Sequence, residues 1–188
     1  MTNHDIATVW NSLEIAKLLV AFLAPISVVV IGLVINRRLK DIDHHQWINQ
    51  KAIETRIGIF ESIAPDLNRL YCFYFWRGDW QNINPDEILK IKRNLDSKIH
   101  IHRFLIGDEV YKAYQEFIHL LFKTFTGPGK NALIKSTIIS NNGDRRKLNY
   151  NWDKKWDDYF DEIGTPDFQV INNSYMQLMQ KFRISIGL

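Results

Sequence analysis

Three aspartates in the last third of the chain have a type and spacing that could do chemistry. Asp153, Asp157 and Asp161 are four residues apart, so a helix would carry all three carboxylates on one face. Carboxylate oxygens are preferred ligands of Ca²⁺ and Mg²⁺. The alternative is a solvated acidic face balanced by Lys154 and by bases elsewhere. We favour this alternative and predict no metal site.

The histidines and the single cysteine offer little more. His100 and His102 would share a face only on a strand, whereas their neighbours have helical periodicity. Cys72 could pair with one of them as a nucleophile, but a free cysteine is usually a small buried hydrophobic residue. The sequence has no HExxH pair, cysteine cluster, GxSxG elbow or dinucleotide fingerprint. We therefore predict that the protein is not an enzyme and has no catalytic residue, metal, cofactor or small-molecule substrate.

A glycine-rich segment, Gly127-Pro128-Gly129-Lys130, lacks the pattern of a phosphate loop. The Walker pattern requires Ser or Thr after its lysine, and Lys130 is followed by Asn131. We predict that this segment ends a helix.

The strongest signal is an apolar run from Leu18 to Ile35, which has no ionisable side chain. As a helix it is about 27 Å long, close to the roughly 30 Å hydrocarbon core of a bilayer. A cleaved signal peptide has a shorter apolar core, and a soluble buried helix would need protein all around it. We predict a transmembrane helix over residues 18–35.

The flanks of this run predict its orientation. Arg37, Arg38 and Lys40 follow it without an acid among them, whereas residues 1–17 carry a net charge of −1. By the positive-inside rule, residues 1–17 are non-cytoplasmic and the part of the chain after the span is cytoplasmic. The lone Cys72 excludes an internal disulfide and agrees with a reducing compartment.

Within the span, Pro25 predicts a kink because its ring removes a hydrogen bond to the carbonyl of Ala21, and Ser27 could satisfy that carbonyl. Gly32 has no glycine four residues away, so the GxxxG dimer motif is absent. No polar residue of the span other than Ser27 is available to line a pore, so a channel would need several copies of the chain, as a homo-oligomer, and would be narrow and hydrophobic.

Composition and periodicity predict an all-α cytoplasmic part. The 188 residues include 11 Phe, 7 Tyr and 6 Trp, which argues against disorder, and carry a net charge of +3. We predict a juxtamembrane helix over residues 36–64, a kink or break at Pro65, and a helical domain over residues 65–188. Together these form a bundle of about five helices. The predicted apolar faces are Ile42, Ile53, Ile57, Phe60, Ile63 or Ala64, Leu67, Tyr71 and Tyr74; Ile88, Ile91, Leu95, Ile99 and His102; Val110, Tyr114, Phe117, Ile118, Leu121, Phe122 and Phe125; Trp152, Trp156, Tyr159 or Phe160, and Ile163; and Ile171, Tyr175, Leu178, Met179 and Phe182.

Five further segments have local signals. The run Leu70 to Trp76 is too short to cross a membrane, and its large aromatic side chains predict that it lies in the hydrophobic core. Asn84-Pro85, Gly107-Asp108 and Thr165-Pro166-Asp167 predict helix starts, with Glu87 reaching back to its cap. Residues 131–150 predict an exposed loop, with a small hairpin around Asn141-Asn142-Gly143-Asp144 as the alternative.

Basic side chains are the candidates for contact with a partner. One group lies on the predicted helix after Pro85, and the other is a basic triplet in the predicted loop. The five residues are Lys90, Arg93, Arg145, Arg146 and Lys147.

The organisation of the chain resembles a known class of proteins. A short tail, one span ending in NRRLK, the polar segment HHQWINQKAIETR and an aromatic helical domain without catalytic residues resemble the transmembrane effectors of bacterial antiphage retron systems. The resemblance implies an abortive-infection protein that a reverse transcriptase and its RNA-linked DNA keep harmless, and that damages the inner membrane when released. The alternative is a non-toxic tether that holds a cytoplasmic complex at the bilayer.

Overall fold

The computed structural model describes residues 12–148 and 150–188, with the backbone but not the side chains of residues 41–45. The described chain is all-α with a few two-residue strands, as predicted. One compact unit ends at Gln50 and the other comprises Lys51–Leu188. The predictions for residues 1–11 and for the side chain of Ile42 lie outside the described residues.

The first helix, α1, covers Ser12–Phe75. Of the two predicted alternatives at Pro65, a kink or a break, the break is therefore wrong. The Pro65 ring is exposed, and Glu61, whose carbonyl it deprives of a donor, is exposed too. Water can therefore bind that carbonyl. On the opposite face Ile63 and Leu67 are fully buried. Their burial, about 1.5–3 kcal/mol each, offsets a proline penalty of about 3 kcal/mol.

The unit Lys51–Leu188 contains the end of α1 and four more α-helices, in agreement with the predicted number of about five. Three short 3-10 helices and four short strands connect them. The α-helices are α2 (Pro85–Ile101), α3 (Arg103–Ile106), α4 (Asp108–Leu121) and α5 (Phe168–Ser185), and the 3-10 helices cover Trp80–Asn82, Arg145–Lys147 and Lys154–Tyr159.

Two of the predicted helix starts are confirmed by their capping hydrogen bonds. The Asn84 side chain accepts from the Glu87 amide at 2.9 Å, and the Asp167 side chain accepts from the Gln169 amide at 2.6 Å. The Glu87 carboxylate does not reach back to its cap, because it accepts from Arg69 Nη2 at 2.7 Å.

At the third start, Gly107 and not Asp108 is the residue before α4, and it makes no side-chain cap. Asp108 is the first residue of the helix, and its carboxylate pairs with Arg103 at 2.8 Å. An acid in the first turn remains favourable there because it faces the positive end of the helix dipole.

The predicted extension of α4 through Phe125 is wrong. The helix ends at Leu121 because the next two residues form strand β1 (Phe122–Lys123), which pairs antiparallel with β2 (Leu133–Ile134). Phe122 remains buried, whereas the Phe125 side chain is 79% exposed.

The predicted alternative of a hairpin within residues 131–150 is confirmed. Strand β3 (Ile139–Ser140) pairs antiparallel with β4 (Gly143–Asp144), and Ser140 lies opposite Gly143. Asn141 and Asn142 connect the two strands, and a two-residue connection of this kind is typical of hairpins.

The helix predicted over residues 152–163 is wrong. Only Lys154–Tyr159 is helical, as a 3-10 helix. It ends because Phe160 bridges Ile134, and the Asp161 amide donates to the Ile134 carbonyl at 2.8 Å. Ile163, predicted on the apolar face, is fully exposed.

The core lies between the end of α1 and helices α2, α4 and α5, and the run from Leu70 to Trp76 contributes to it as predicted. Two predicted members lie elsewhere: Ile57 is exposed, with Ile59 buried instead, and His102 is half-buried beyond the end of α2. Buried side chains of the core include Ile63, Leu67, Leu70, Phe73, Tyr74, Ile88, Leu95, Ile99, Val110, Tyr114, Phe117, Leu121, Ile171, Leu178 and Phe182.

Arg56 joins three helices at the end of this unit where the chain enters it. Its Nε donates to the Leu105 carbonyl at 2.6 Å, and its Nη1 donates to the Ser185 carbonyl at 2.8 Å. Both carbonyls belong to the ends of helices, where intrahelical donors are missing. The side chain therefore stabilises the ends of α3 and α5 against α1.

Candidate functional site

The amino-terminal part of α1 is a candidate membrane span. From Ser12 to Lys40 the helix has 29 residues, with a mean hydropathy of 3.0 in its most apolar stretch and none of that stretch buried. Its large apolar side chains are 46–70% exposed. A helix that is apolar all round and has no protein cover is compatible with a single membrane span. The predicted residues Leu18, Pro25, Gly32 and Ile35 lie within it.

The polar features of this helix are few. The helix continues through Pro25, and Ser27 Oγ donates to the carbonyl of Ala24 at 2.9 Å. The prediction that Ser27 satisfies the carbonyl of Ala21 is therefore wrong. No side chain lies within 4 Å of the position that a Cβ on Gly32 would occupy.

The basic residues that follow the apolar stretch, Arg37, Arg38 and Lys40, are exposed on the helix surface. Their position at one end of the candidate span is the one that the positive-inside rule uses. The orientation of the span remains a prediction from charge.

Lys90 and Arg93, the first group of predicted contact residues, are exposed on α2. Lys90 lines an open cleft of about 750 Å³, together with Arg69, Asp66, Asp86 and Glu87 among others. The carboxylates in this cleft oppose the basic charge, so the α2 surface has mixed charge.

Arg93 is also part of the domain's own structure. Its Nη2 donates to Asn131 Oδ1 at 3.3 Å, which links α2 to the loop before β2. Removing Arg93 would therefore disturb this loop contact as well as the charge of the surface.

Arg145, in the second group, is fully buried, so the prediction of an exposed basic triplet is wrong for this residue. Its guanidinium carbon lies 3.8 Å from the ring centroids of both Phe73 and Trp76, and 5.7 Å from that of Trp80. Cations bind aromatic faces at such distances. We call Phe73, Trp76, Trp80 and Arg145 the aromatic cage.

The hydrogen bonds of Arg145 place it at the carboxyl-terminal end of α1. Its Nη2 donates to the Phe73 carbonyl at 2.9 Å and its Nε donates to the Thr137 carbonyl at 3.1 Å. Its Nη1 has no hydrogen-bond partner among the described residues. A cation at the negative end of a helix dipole is favourable, so Arg145 serves as a cap that comes from a distant part of the chain.

The backbone at the cage is also unusual. Trp76 follows the last residue of α1 and has φ = 54°, a left-handed conformation that glycine usually adopts at this position. The contact with Arg145 helps to hold it there. Burial lowers the pKa of Arg145 to about 9, which still leaves it charged at neutral pH.

The other two basic residues of the triplet, Arg146 and Lys147, are exposed. Arg146 forms an ion pair with Asp157, with Nη2 and Oδ2 3.2 Å apart. The five predicted contact residues are therefore divided between α2, the buried cage and an exposed short helix.

The three spaced aspartates serve separate structural roles. Asp153 caps the Lys155 amide, Asp157 accepts from Trp152 Nε1 at 2.9 Å, and Asp161 accepts from the Gly164 amide at 3.3 Å. Hydrogen bonding from the Lys155 backbone lowers the pKa of Asp153. Among residues 12–148 and 150–188 there is no group of three or more His, Cys, Asp or Glu residues that could hold a metal ion.

Cys72 is half-buried near the end of α1. In the described part of the chain, no hydrogen bond joins it to His100 or His102. His100 packs near the ring of Tyr111, with centroids 6.4 Å apart, and His102 ends α2.

The cage is the feature that the sequence analysis missed. Arg145 cannot be distinguished from Arg146 by residue type or by local charge. The signal that could have found it is the hairpin, because Gly143 would bring a Cβ to within 3.5 Å of the Trp80 ring and 3.7 Å of the Trp76 ring. The hairpin turn thus lies against the two tryptophan rings, and Arg145 follows it two residues after Gly143.

Comparisons with protein-family models, with curated protein sequences and with solved structures found no match to this chain.

Proposed function

We propose that this protein is a single-span membrane effector of a bacterial antiphage system of the retron type. In this proposal the span crosses the inner membrane with the amino terminus outside, and the unit Lys51–Leu188 lies in the cytoplasm. The observation that carries the proposal is the uncovered apolar helix of Ser12–Lys40, which has no other cover within the described chain. The basic residues after the span support the orientation.

The proposed effect on the bilayer follows from the organisation that the chain shares with retron effectors. A reverse transcriptase with its RNA-linked DNA would hold the protein inactive, and exposed bases such as Lys90 and Lys147 are suited to nucleic-acid phosphates. Release would then let the protein impair the inner membrane. The aromatic cage and the core beside it would keep the cytoplasmic unit rigid, so that the loss of the partner affects the unit as a whole.

The membrane arrangement is tested first, by fractionation. The full chain should resist alkaline extraction from bacterial membranes. A carboxyl-terminal tag should be protected from protease in intact spheroplasts and cleaved after lysis. Cleavage in intact spheroplasts would contradict the proposed orientation.

The effector role is tested by expressing the chain without any partner. We expect growth arrest together with loss of membrane potential, because nothing would hold the protein inactive. A matched chain that starts at Asp41 lacks the span and should leave growth and potential normal. Normal growth and potential with the full chain, at levels confirmed in the membrane fraction, would contradict an effector of this type.

A second candidate function, a non-toxic tether, is favoured by one observation. The Ser27 hydroxyl is already bonded to its own helix at 2.9 Å, so it is not free to line a polar pore. A tether should tolerate replacement of residues 18–35 by an unrelated apolar helix of equal length. An effector that acts through its span should lose its toxicity with this replacement while keeping its place in the membrane.

A further inference from the structure

Four exposed apolar side chains lie on two segments of the unit Lys51–Leu188 that meet at Arg56. Phe104 is 98% exposed, Ile101 68%, Ile184 61% and Leu105 41%. Large apolar side chains so exposed on neighbouring segments are typical of interaction sites. We call these four residues, with Arg103 and Arg183, the corner surface.

The hydrogen bonds of Arg56 bring the two parts of this surface together. One guanidinium bonds the carbonyls of both Leu105 and Ser185, so the segments 101–105 and 184–185 meet at the same point. Close by, a Cβ on Gly187 would lie 3.7 Å from Ile53 Cδ1. The corner surface is therefore at the end of the unit where the chain enters it.

The corner surface carries two arginines, one of which is paired with an acid. Arg103 and Arg183 are exposed there. Arg103 pairs with Asp108 at 2.8 Å and stacks over Tyr111, with 4.3 Å between its guanidinium carbon and the ring centroid. Exposed arginines next to apolar side chains are the composition that binds the headgroup region of anionic bilayers.

The connection to the candidate span is short. Residues 41–50 alone separate Lys40 from Lys51, and even a fully extended chain of this length reaches no more than about 40 Å. The unit Lys51–Leu188 is therefore tethered to the candidate span by a segment of ten residues.

From these observations we infer that the corner surface binds the anionic bilayer surface directly, with Phe104 inserted among the lipid headgroups. The inference rests on the proposed membrane span. It adds a second membrane contact, made by the folded unit itself. An anionic lipid surface fits better than a protein groove because the corner surface combines projecting apolar side chains with arginines and belongs to a unit that is tethered to the candidate span.

The inference is tested by spin-label accessibility on the full chain in vesicles of phosphatidylcholine and phosphatidylglycerol. With Cys72 replaced by serine, single cysteines are introduced by Phe104→Cys, Phe125→Cys and Val28→Cys. Phe125 is the matched control, since it is another exposed phenylalanine of the same unit and lies outside the corner surface. Because Phe104 and Phe125 are both largely exposed, labelling either should leave the fold intact.

We expect the label at position 104 to collide severalfold more with oxygen, relative to an aqueous nickel chelate, than the label at position 125. This difference should fall in vesicles of phosphatidylcholine alone, because the anionic attraction is lost. Equal values in the two vesicle types would overturn the electrostatic part of the inference.

Equal accessibility at positions 104 and 125, with a membrane-buried label at position 28, would overturn the inference and leave the span intact. A label at position 28 that the nickel chelate reaches freely would overturn the span itself, and with it this inference.

Discussion

Replacing Arg145 by methionine should destabilise the unit Lys51–Leu188, although it removes a buried charge that has no carboxylate partner among the described residues. Buried ions are often costly, and apolar replacements of similar volume are often neutral or stabilising. Whether the buried charge of Arg145 stabilises the folded unit can therefore be decided by measuring the unfolding of Arg145→Met.

The cost of burying the charge can be judged from its pKa. Burial lowers the pKa of Arg145 from an ordinary value of 12.5 to about 9, which corresponds to about 5 kcal/mol at 1.36 kcal/mol for each pH unit.

The contacts of the cage oppose this cost. Two hydrogen bonds from a charged donor, to the carbonyls of Phe73 and Thr137, contribute about 1.5–3 kcal/mol each. Two ring contacts at 3.8 Å contribute about 2 kcal/mol each when desolvated. The favourable contributions exceed the cost by about 2–5 kcal/mol.

Arg145→Met keeps most of the volume and gains some burial of apolar surface, but it leaves two buried carbonyls without donors. We therefore expect a loss of about 2–4 kcal/mol in the free energy of unfolding. With an m value of about 2 kcal/mol per molar urea, the midpoint of unfolding should fall by about 1–2 M.

The assay is urea unfolding of the full chain in detergent micelles, followed by tryptophan fluorescence, because Trp76 and Trp80 belong to the cage. Arg146→Met is the matched control. The Arg146 side chain is 43% exposed and its ion pair with Asp157 is partly solvated, so the expected loss is below about 1 kcal/mol. If Arg145→Met were as stable as the parent chain, the cost of the buried charge would outweigh the cage, and the reasoning above would be refuted.

Two further predictions concern alkaline pH and glycine positions. Burial raises the pKa of Tyr114, whose hydroxyl donates to Asp96 at 2.7 Å, so the protonated form is favoured in the folded state. Its contribution is complete below the unfolded pKa of about 10 and is lost as the pH rises above that value. Tyr114→Phe should therefore lower the free energy of unfolding by about 1 kcal/mol at pH 8, and this free energy should fall less steeply with pH above pH 10 than in the parent chain. Thermal unfolding at several pH values measures both effects. An equally steep fall above pH 10 in the two chains would contradict this prediction. Gly143→Ala should cost about 1–3 kcal/mol, since Gly143 has φ = 148° and packs on the cage. Gly58→Ala, in a helical position of α1 with open space around it, should instead stabilise by about 0.4–1 kcal/mol, and the same thermal scans would show whether the two signs differ.

The parts of the fold that the sequence predicted correctly are those governed by local physics. Asn84 and Asp167 cap their helices because the bond from a side chain to an amide two or three residues later needs no other part of the chain. The apolar run in α1 is recognisable by length and composition alone.

The errors occur where distant contacts override a local preference. Pro65 was expected to kink or break α1, but burial of Ile63 and Leu67 on the opposite face keeps the helix continuous. The apolar stripe of α4 suggested a helix beyond Leu121, but pairing between Phe122 and Ile134 replaces it with a strand.

The predicted contact residues also fall into those that local sequence describes correctly and one whose environment depends on distant contacts. Lys90 and Lys147 are exposed as their charge predicts, whereas Arg145 is buried because rings from α1 and from the following turn surround it. No pattern within residues 145–147 could have shown this, since the partners are 65 or more residues away in the chain.

The separation between Phe73 and Arg145 also has a consequence for the nascent chain. The Phe73 carbonyl and the guanidinium that caps it are 72 residues apart in the chain. At about 5–20 residues per second, translation needs roughly 4–14 s to make the intervening segment. Throughout that interval the aromatic run from Leu70 to Trp76 has left the peptidyl-transferase centre without its cap. We therefore expect this run to be a binding site for chaperones during synthesis, and the completion of the hairpin to be the event that ends their access.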